Sequence, residues 1–375
     1  MTERYDTVVV GAGAMGASAA WWLARRGRSV LLVEQFEAGH TRGSSHGGSR
    51  IFRYAYPDPV LSRLVVEARP LWTELEDDAG ETLLDLVGAV DHGDPPTVRA
   101  LASAMRAAGV PCEELAPEEA AERWPSLRFE GTVVHQPLGG RCRADATVAA
   151  LTRRAADHGA HVRFGVGRAV VEVLGDGVAV TVGAERVAAR TAVVTAGAWL
   201  GRTVGSLVDL PPLSVTEEQL VHFPPAAEPR SPTDWPSFIH HAERFWYGLA
   251  TPGVGIKVGG HHEGAEVDPD RRRATVDPSY AEGLVRYAER WLPGVVPEPR
   301  AEATCLYTTT PDTRFLLDRA GPLVIGSPCS GHGFKFVPLI GRILADLTDG
   351  IEPAGPFRRL GDPITPRDRR YPAPS

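Results

Sequence analysis

The apolar positions of the first 34 residues fall into two unbroken runs separated by one stretch with a helical period. Residues 5–10 (YDTVVV) are apolar and β-branched and stop at Gly11, which predicts a buried parallel strand. Residues 14–26 repeat small and apolar side chains at helical spacing and end at Gly27, a favourable helix stop. Residues 29–34 (SVLLVE) predict a second buried strand. Together they form a β-α-β unit, which sets the two strands parallel and side by side. Residues 39–53 (GHTRGSSHGGSRIFR) break the pattern and predict a polar, Gly-rich loop carrying His and Arg. Residues 61–77 are amphipathic and predict a helix with Pro70 as a kink or break. Residues 83–140 predict short strands between Pro/Gly turns. Asp145 predicts the N-cap of a helix reaching about His158. Short strands are expected at 161–164, 169–173 and 178–182, the last two joined by a Gly-Asp-Gly hairpin turn, and a buried strand at 191–195 (TAVVT).

From Leu210 the character changes. Segments 215–223, 238–241, 245–249 and 255–258 predict an antiparallel sheet, 278–292 a helix and 303–309 a further strand. Residues 322–326 predict a short buried strand and about 333–348 a final amphipathic helix. The expected fold class is therefore α/β, a nucleotide-binding domain of the Rossmann type interrupted by an antiparallel-sheet substrate domain. The expected boundaries are 1–85, 141–210 and 318–375 for the first domain, and 86–140 with 211–317 for the second.

Length agrees, because 375 residues at ~150 per domain give about two domains. An apolar fraction of 43% is enough for a large core and excludes a disordered or fibrous chain. The 40 basic and 47 acidic residues are spread along the chain without a basic stripe, which argues against a nucleic-acid partner. Four scattered cysteines make no disulfide framework and no zinc spacing, so a reducing compartment and no metal are expected. No signal-peptide pattern and no run of about 18 apolar residues is visible, so a cytoplasmic, membrane-free protein is expected. The Arg/Pro-rich tail after Asp362 reads as loose.

Residues 11–16 (GAGAMG) spell G-x-G-x-x-G between the first strand and the helix. Gly11 permits the tight turn, Gly13 lets a pyrophosphate approach the backbone, and Gly16 lets helix and strand pack closely. The helix start presents free N–H groups to phosphates. Glu34 closes the second strand, where a carboxylate accepts ribose hydroxyls and disfavours a 2′-phosphate. The motif alone does not separate FAD from NAD. In the following loop Arg50 and Arg53, with His46, suit recognition of a carboxylate, although a solvated basic loop has the same composition. Lys257 interrupts an apolar strand, either as a buried lysine with a task or as an edge lysine facing water. Cys305, by itself, reads as packing. Gly331 and Gly333 permit close backbone approach to a ligand, and Lys335 puts a cation where a helix start would favour an acid.

Across nearly its whole length, and in order, the chain resembles the monomeric sarcosine oxidase family of flavoenzymes, which includes N-methyltryptophan and pipecolate oxidases. The resemblance rests on VVVGAGAMG…LLVE, GSSHGGSRIFRYAY, VVTAGAW, GIKVGGHH, TCLYTTTPD and SGHGFKF. It implies a D-amino-acid-oxidase-like fold, a monomer, and FAD-dependent oxidation of a small amine or amino acid with O2 as acceptor. It implies FAD contacts at Gly11, Gly13, Met15, Gly16, Glu34, Gln35, Arg42, Ser44, Ser45, Gly197 and 331–335 (Gly331, His332, Gly333, Phe334, Lys335). Cys305 resembles the cysteine that bonds covalently to the flavin, and a thiol near His46 and Arg50 is expected to ionise more readily. Arg53 and Lys335 resemble the pair that grips the substrate carboxylate, and Lys257 the lysine at which oxygen is reduced. His46, Arg50, Tyr247, His261 and Tyr307 match positions around the reacting centre. Gly48 departs from the family, in which an acid is frequent, and GSSHG is closer to the pipecolate oxidases, which points to a larger or cyclic secondary amine. A flavin dehydrogenase using another acceptor and a non-catalytic FAD scaffold are the competing readings, and an NAD-only dehydrogenase fits least.

Overall fold

A computed structural model describes residues 4–175, 177–229 and 231–363. The tail from residue 364 and Asp176 of the expected hairpin turn lie outside the described residues. The N-terminal unit forms as its pattern requires, with strand Arg4–Val10, helix Ala14–Arg25 and strand Val30–Val33. The strands pair in parallel with Val10 opposite Val33. Along them the side chains alternate between two cores. Val9 and Leu32 face the helices, while Val8, Val10, Leu31 and Val33 face the core under helix Leu200–Val204.

Eight strands make this first sheet. Its long strand Glu185–Val194 pairs on one side with Arg4–Val10 and on the other with two partners, Val178–Val182 antiparallel and Leu323–Ser327 parallel. The chain thus returns to the sheet more than a hundred residues later. Helix Val337–Thr348 then lies directly on helix Ala14–Arg25. A Cβ on Gly341 would fall 2.0 Å from Ser18 Oγ, so a glycine is needed at this crossing. Ser18 Oγ and Trp22 Nε1 donate to the carbonyls of Val337 and Pro338 at 2.9 and 2.8 Å. Residues 331–335, which lead into this helix, are thereby fixed relative to helix Ala14–Arg25.

The second sheet has nine strands. It contains the expected segments as Ser214–Phe223, Ser237–His241, Phe245–Thr251, Gly255–Gly260 and Ala301–Thr309. It is antiparallel except at one place, where Ser237–His241 runs parallel to Ala89–Gly93. A third sheet of three short strands joins Arg50–Phe52 to Gly140–Cys142 and Leu84–Asp85.

Several local expectations are corrected. Helix Pro59–Ala79 runs through Pro70 unbroken, because Pro70 and Val66 both lie on its exposed side, where water can take the carbonyl that proline leaves unpaired. Residues 83–140 contain two helices, Pro95–Ala107 and Pro117–Arg123, the first capped by Asp94, whose carboxylate accepts from Thr97 N at 3.0 Å. Asp145 is not a cap but lies in the first turn of helix Ala144–Asp157, and its Oδ1 accepts the Gly47 N–H at 2.7 Å. The loop expected over 39–53 ends in strand Arg50–Phe52. The last helix is preceded by a separate 3-10 turn, Phe334–Phe336.

Candidate active site

A cavity of about 870 Å³ runs from the glycine motif to the inner face of the nine-stranded sheet. Its two ends differ in construction. At the first end Gly11 has φ +99°, a conformation that excludes ordinary side chains. A Cβ on Gly16 would stand 1.8 Å from the Gly11 carbonyl oxygen. Gly16 therefore does not line the cavity but acts by packing. The backbone N–H of Ala12 donates to Glu34 Oε2 at 2.9 Å and that of Phe36 to Oε1 at 3.1 Å, so the carboxylate is pinned at the wall. Ser45 Oγ accepts from Ala14 N at 3.0 Å. Met15, Gln35 and Gly197 also line this wall, whereas the Arg42 side chain lies over the Phe36 ring, off the cavity.

The other end is a set of side chains. Lys257 is buried, and its Nζ donates to the Ser49 carbonyl at 2.7 Å. Burial, with help from the nearby Arg50 charge, pulls its pKa down to about 7. It is thus a partnered interior lysine and not an edge lysine facing water. Arg50 donates to the carbonyls of Ser44, His46 and Ser49, so it holds the loop in shape. Ser44 Oγ donates to the Leu306 carbonyl, tethering that loop to the strand beside Cys305. Tyr56 gathers the remaining cations. The Arg53 guanidinium lies 5.0 Å from its ring centroid, and Lys335 Nζ donates to its hydroxyl at 2.8 Å and to the His332 carbonyl at 2.7 Å. Trp72 Nε1 donates to the Lys335 carbonyl at 2.8 Å and fixes that turn. Burial, then the neighbouring Arg53, lowers the Lys335 pKa well below the ordinary lysine range.

A family model described as FAD dependent oxidoreductase matches residues 6–347. The chain belongs to this family. Among its relatives, peroxisomal sarcosine oxidase of Homo sapiens is 35% identical, with 95% of this chain and 96% of that protein covered. Monomeric sarcosine oxidase of Streptomyces avermitilis is 33% identical over 92% of this chain and 94% of its own. The solved structure of NikD, described as an unusual amino acid oxidase essential for nikkomycin biosynthesis, superposes with a TM-score of 0.84 at 28% identity, covering 95% and 99% of the two chains. The chain is accordingly an FAD-dependent oxidoreductase with the D-amino-acid-oxidase type of fold, and no helix among its described residues is long and apolar enough to cross a membrane.

The residues present fit FAD on independent grounds. A Cβ on Gly13 would meet Ser45 Oγ at 3.1 Å, a tight contact at the cavity wall that glycine avoids. His46 Nε2 is buried and has no hydrogen-bond partner among the described residues, as expected of a group that faces a ligand. Burial, followed by the charges of Arg50 and Arg272, lowers the His46 pKa to about 4, so the ring is neutral.

One expectation about the family's cysteine is reversed. The Cys305 thiol is raised above its ordinary pKa, because burial outweighs the opposing charges of Arg50 and Lys257. Ionisation would need something that these cations do not supply alone. His261 is half-buried, its pKa is lowered well below the ordinary range by desolvation and then by its neighbour His262, and its Nδ1 lies 3.4 Å from the Tyr307 hydroxyl. Burial, first of all causes, raises the pKa of Tyr247 and Tyr307 well above the ordinary range, so both keep their protons.

Sequence reasoning missed Arg272 entirely. Its Nη1 donates to Glu217 at 2.9 Å and to Thr304 Oγ1 at 2.7 Å, and its Nη2 donates to the carbonyls of Thr41 and Arg42 at 2.9 and 3.0 Å. It bridges the nine-stranded sheet to the cofactor loop. It sits in the run RRR at 271–273, which reads as a solvated patch, so nothing local marks it.

Proposed function

We propose that this chain oxidises a secondary amine bearing a carboxylate, an N-methyl or cyclic amino acid, to its imine, with O2 reduced to H2O2. The carrying observation is that Arg53 and Lys335, from opposite ends of the chain, converge on Tyr56 in the same cavity as Lys257 and Cys305. The relatives named for sarcosine oxidation support the same class of substrate. Bound FAD supplies the electron acceptor, taking two electrons and a proton from the carbon beside the amine nitrogen. The residues assigned to hold it are Gly11, Gly13, Met15, Glu34, Gln35, Ser44, Ser45, Gly197, Cys305 and the backbone of 331–335. Arg53 and Lys335 anchor the substrate carboxylate by charge-assisted hydrogen bonds, which fixes the reacting C–H. An arriving carboxylate also favours the protonated form of Lys335. Tyr247, His261 and Tyr307, uncharged, line the amine side, which favours the neutral amine whose lone pair the oxidation needs. Lys257, protonated below about pH 7, offsets negative charge as oxygen is reduced.

Lys257 is also what favours oxygen over another electron acceptor. The two large sheets support the division into a cofactor domain and a substrate domain, and the relatives called monomeric support a monomer. The test is an anaerobic screen of sarcosine, longer N-methyl amino acids, proline and pipecolate. At least one should bleach the flavin, and air should restore its colour with one H2O2 formed per substrate; no bleaching by any carboxylated secondary amine would sink the reading. Acid-precipitated protein should stay yellow if Cys305 carries the flavin, and colour passing wholly to the supernatant would remove that role.

A further inference from the structure

Behind Arg53 lies a carboxylate that takes no part in the proposed oxidation. Asp91 sits within strand Ala89–Gly93 and is fully buried, at 0% exposure. Its Oδ2 accepts from Gln136 Nε2 at 2.7 Å, and its Oδ1 lies 2.8 Å from His241 Nε2 and 3.8 Å from Arg53 Nη1. Gln136 Oε1 in turn accepts the backbone N–H groups of Tyr54 and Ala55 at 2.7 and 3.1 Å. The substrate sheet therefore holds the Arg53–Tyr56 segment twice, through its backbone and through its charge.

The hydrogen bonds of Gln136 and His241 would be met by a neutral amide in the same place. Arg53 is the partner of Asp91 that carries its charge at every working pH, and Asp91 supplies the only carboxylate within 4.0 Å of it among the described residues. Buried charges persist where they are balanced, and in an interior they are screened little. Around Tyr56 stand Arg53 and Lys335, the latter protonated once a ligand carboxylate is bound beside it. Asp91 balances one of them from behind, which leaves one positive charge for the ligand. A second ligand carboxylate would enter a site whose charge is already matched, and repulsion of this kind is a usual source of discrimination.

We propose that Asp91 is the counter-ion that limits this site to substrates with one carboxylate, so that N-methyl or cyclic amino acids with uncharged side chains are accepted and dicarboxylic ones refused. This rests on the reading of Arg53 and Lys335 as the carboxylate anchor.

The test uses the flavin-loaded protein and two probes of nearly equal shape, malonamate and malonate. They are titrated at constant ionic strength and about pH 8, where malonate carries both charges, and followed by the perturbation of flavin absorbance. The parent should bind malonamate at least about tenfold more tightly. Asp91→Asn should shrink that ratio by about tenfold, chiefly by gaining malonate, and Asp91→Glu should keep the discrimination. A ratio unmoved in Asp91→Asn would overturn the proposal. If that variant does not hold flavin, the parent alone decides, since equal affinity for the two probes also overturns it. Malonamate that binds while the ratio stays fixed removes only the role of Asp91. A parent spectrum that neither probe perturbs removes the carboxylate anchor, and this proposal with it.

Discussion

At the nucleotide end of the cavity the wall is mostly backbone, with the N–H groups of Ala12, Ala14 and Phe36 taken up by Glu34 and Ser45, Gly11 and Gly13 lining the space and Gly16 packed behind them. At the substrate end the wall is side chains, with Lys257, Cys305, Arg53 and Lys335 drawn from separate strands and turns and Tyr56 behind the last two. A backbone wall depends on what is absent at a few neighbouring positions, so one substitution by the smallest side chain is enough to block it. A side-chain wall is assembled from distant parts, each resting on its own partners, so loss of one member weakens a single step and leaves the rest standing.

The sharpest way to break this contrast is Gly16→Ala. With the Gly11 carbonyl oxygen 1.8 Å and Thr195 Oγ1 2.5 Å from the new Cβ, the misfit should cost more than ~3 kcal/mol. The purified protein should carry almost no flavin by its visible absorbance, or fail to fold; parental flavin content would show that the close crossing is not needed. Next in size is Lys257→Met. Flavin reoxidation in stopped flow should slow by ~10²–10³-fold, with reduction by substrate little changed. In the parent the reoxidation rate constant should fall as pH rises through about 7, because the lysine loses its charge there, and the variant should show no such step. Equal reoxidation rates in variant and parent would remove the oxygen role.

Arg53→Ala should raise KM for carboxylated amines by ~10–100-fold, the loss of a charged hydrogen bond worth ~1.5–3 kcal/mol, while amines without a carboxylate are unaffected. A change shared by both kinds of amine would mean that the arginine acts on the fold of the segment and not on the ligand. Smallest is Ser45→Ala, which removes the acceptor for Ala14 N–H. At ~1 kcal/mol it should weaken retention of non-covalent FAD, measured in a Cys305→Ala background, by about fivefold. An unchanged affinity would mean that water replaces the hydroxyl without loss.

The parts of this site that could be read from the chain alone follow one physical distinction. The fingerprint, its strand and helix, and Glu34 are adjacent in sequence, and hydrophobic period with glycine spacing specifies them locally. Five strands of the second sheet were legible for the same reason, while Ala89–Gly93, Glu113–Leu115, Thr132–Gln136 and Ala265–Glu266 were not placed, and helix Pro95–Ala107 was missed because its Asp-Pro start looks like a turn. The family motifs pointed to Cys305, Lys257 and Lys335, yet not to what holds them. Arg272 and the triad of Asp91, Gln136 and His241 carry no local mark, because a buried ion pair is made by two segments meeting and neither segment announces it.

The same distinction reverses one local inference. Cations near Cys305 suggested a thiol that ionises readily, but burial decides the balance the other way, and burial belongs to the folded whole. From its amino-acid order alone, then, this protein determines a dinucleotide cradle, the order of its strands and helices, and the residue types available for amine oxidation. Tertiary structure alone decides which of those residues meet, which charges stand in a low-dielectric interior, and which carboxylate stands behind Arg53, because distance and desolvation exist only once remote segments have been packed together.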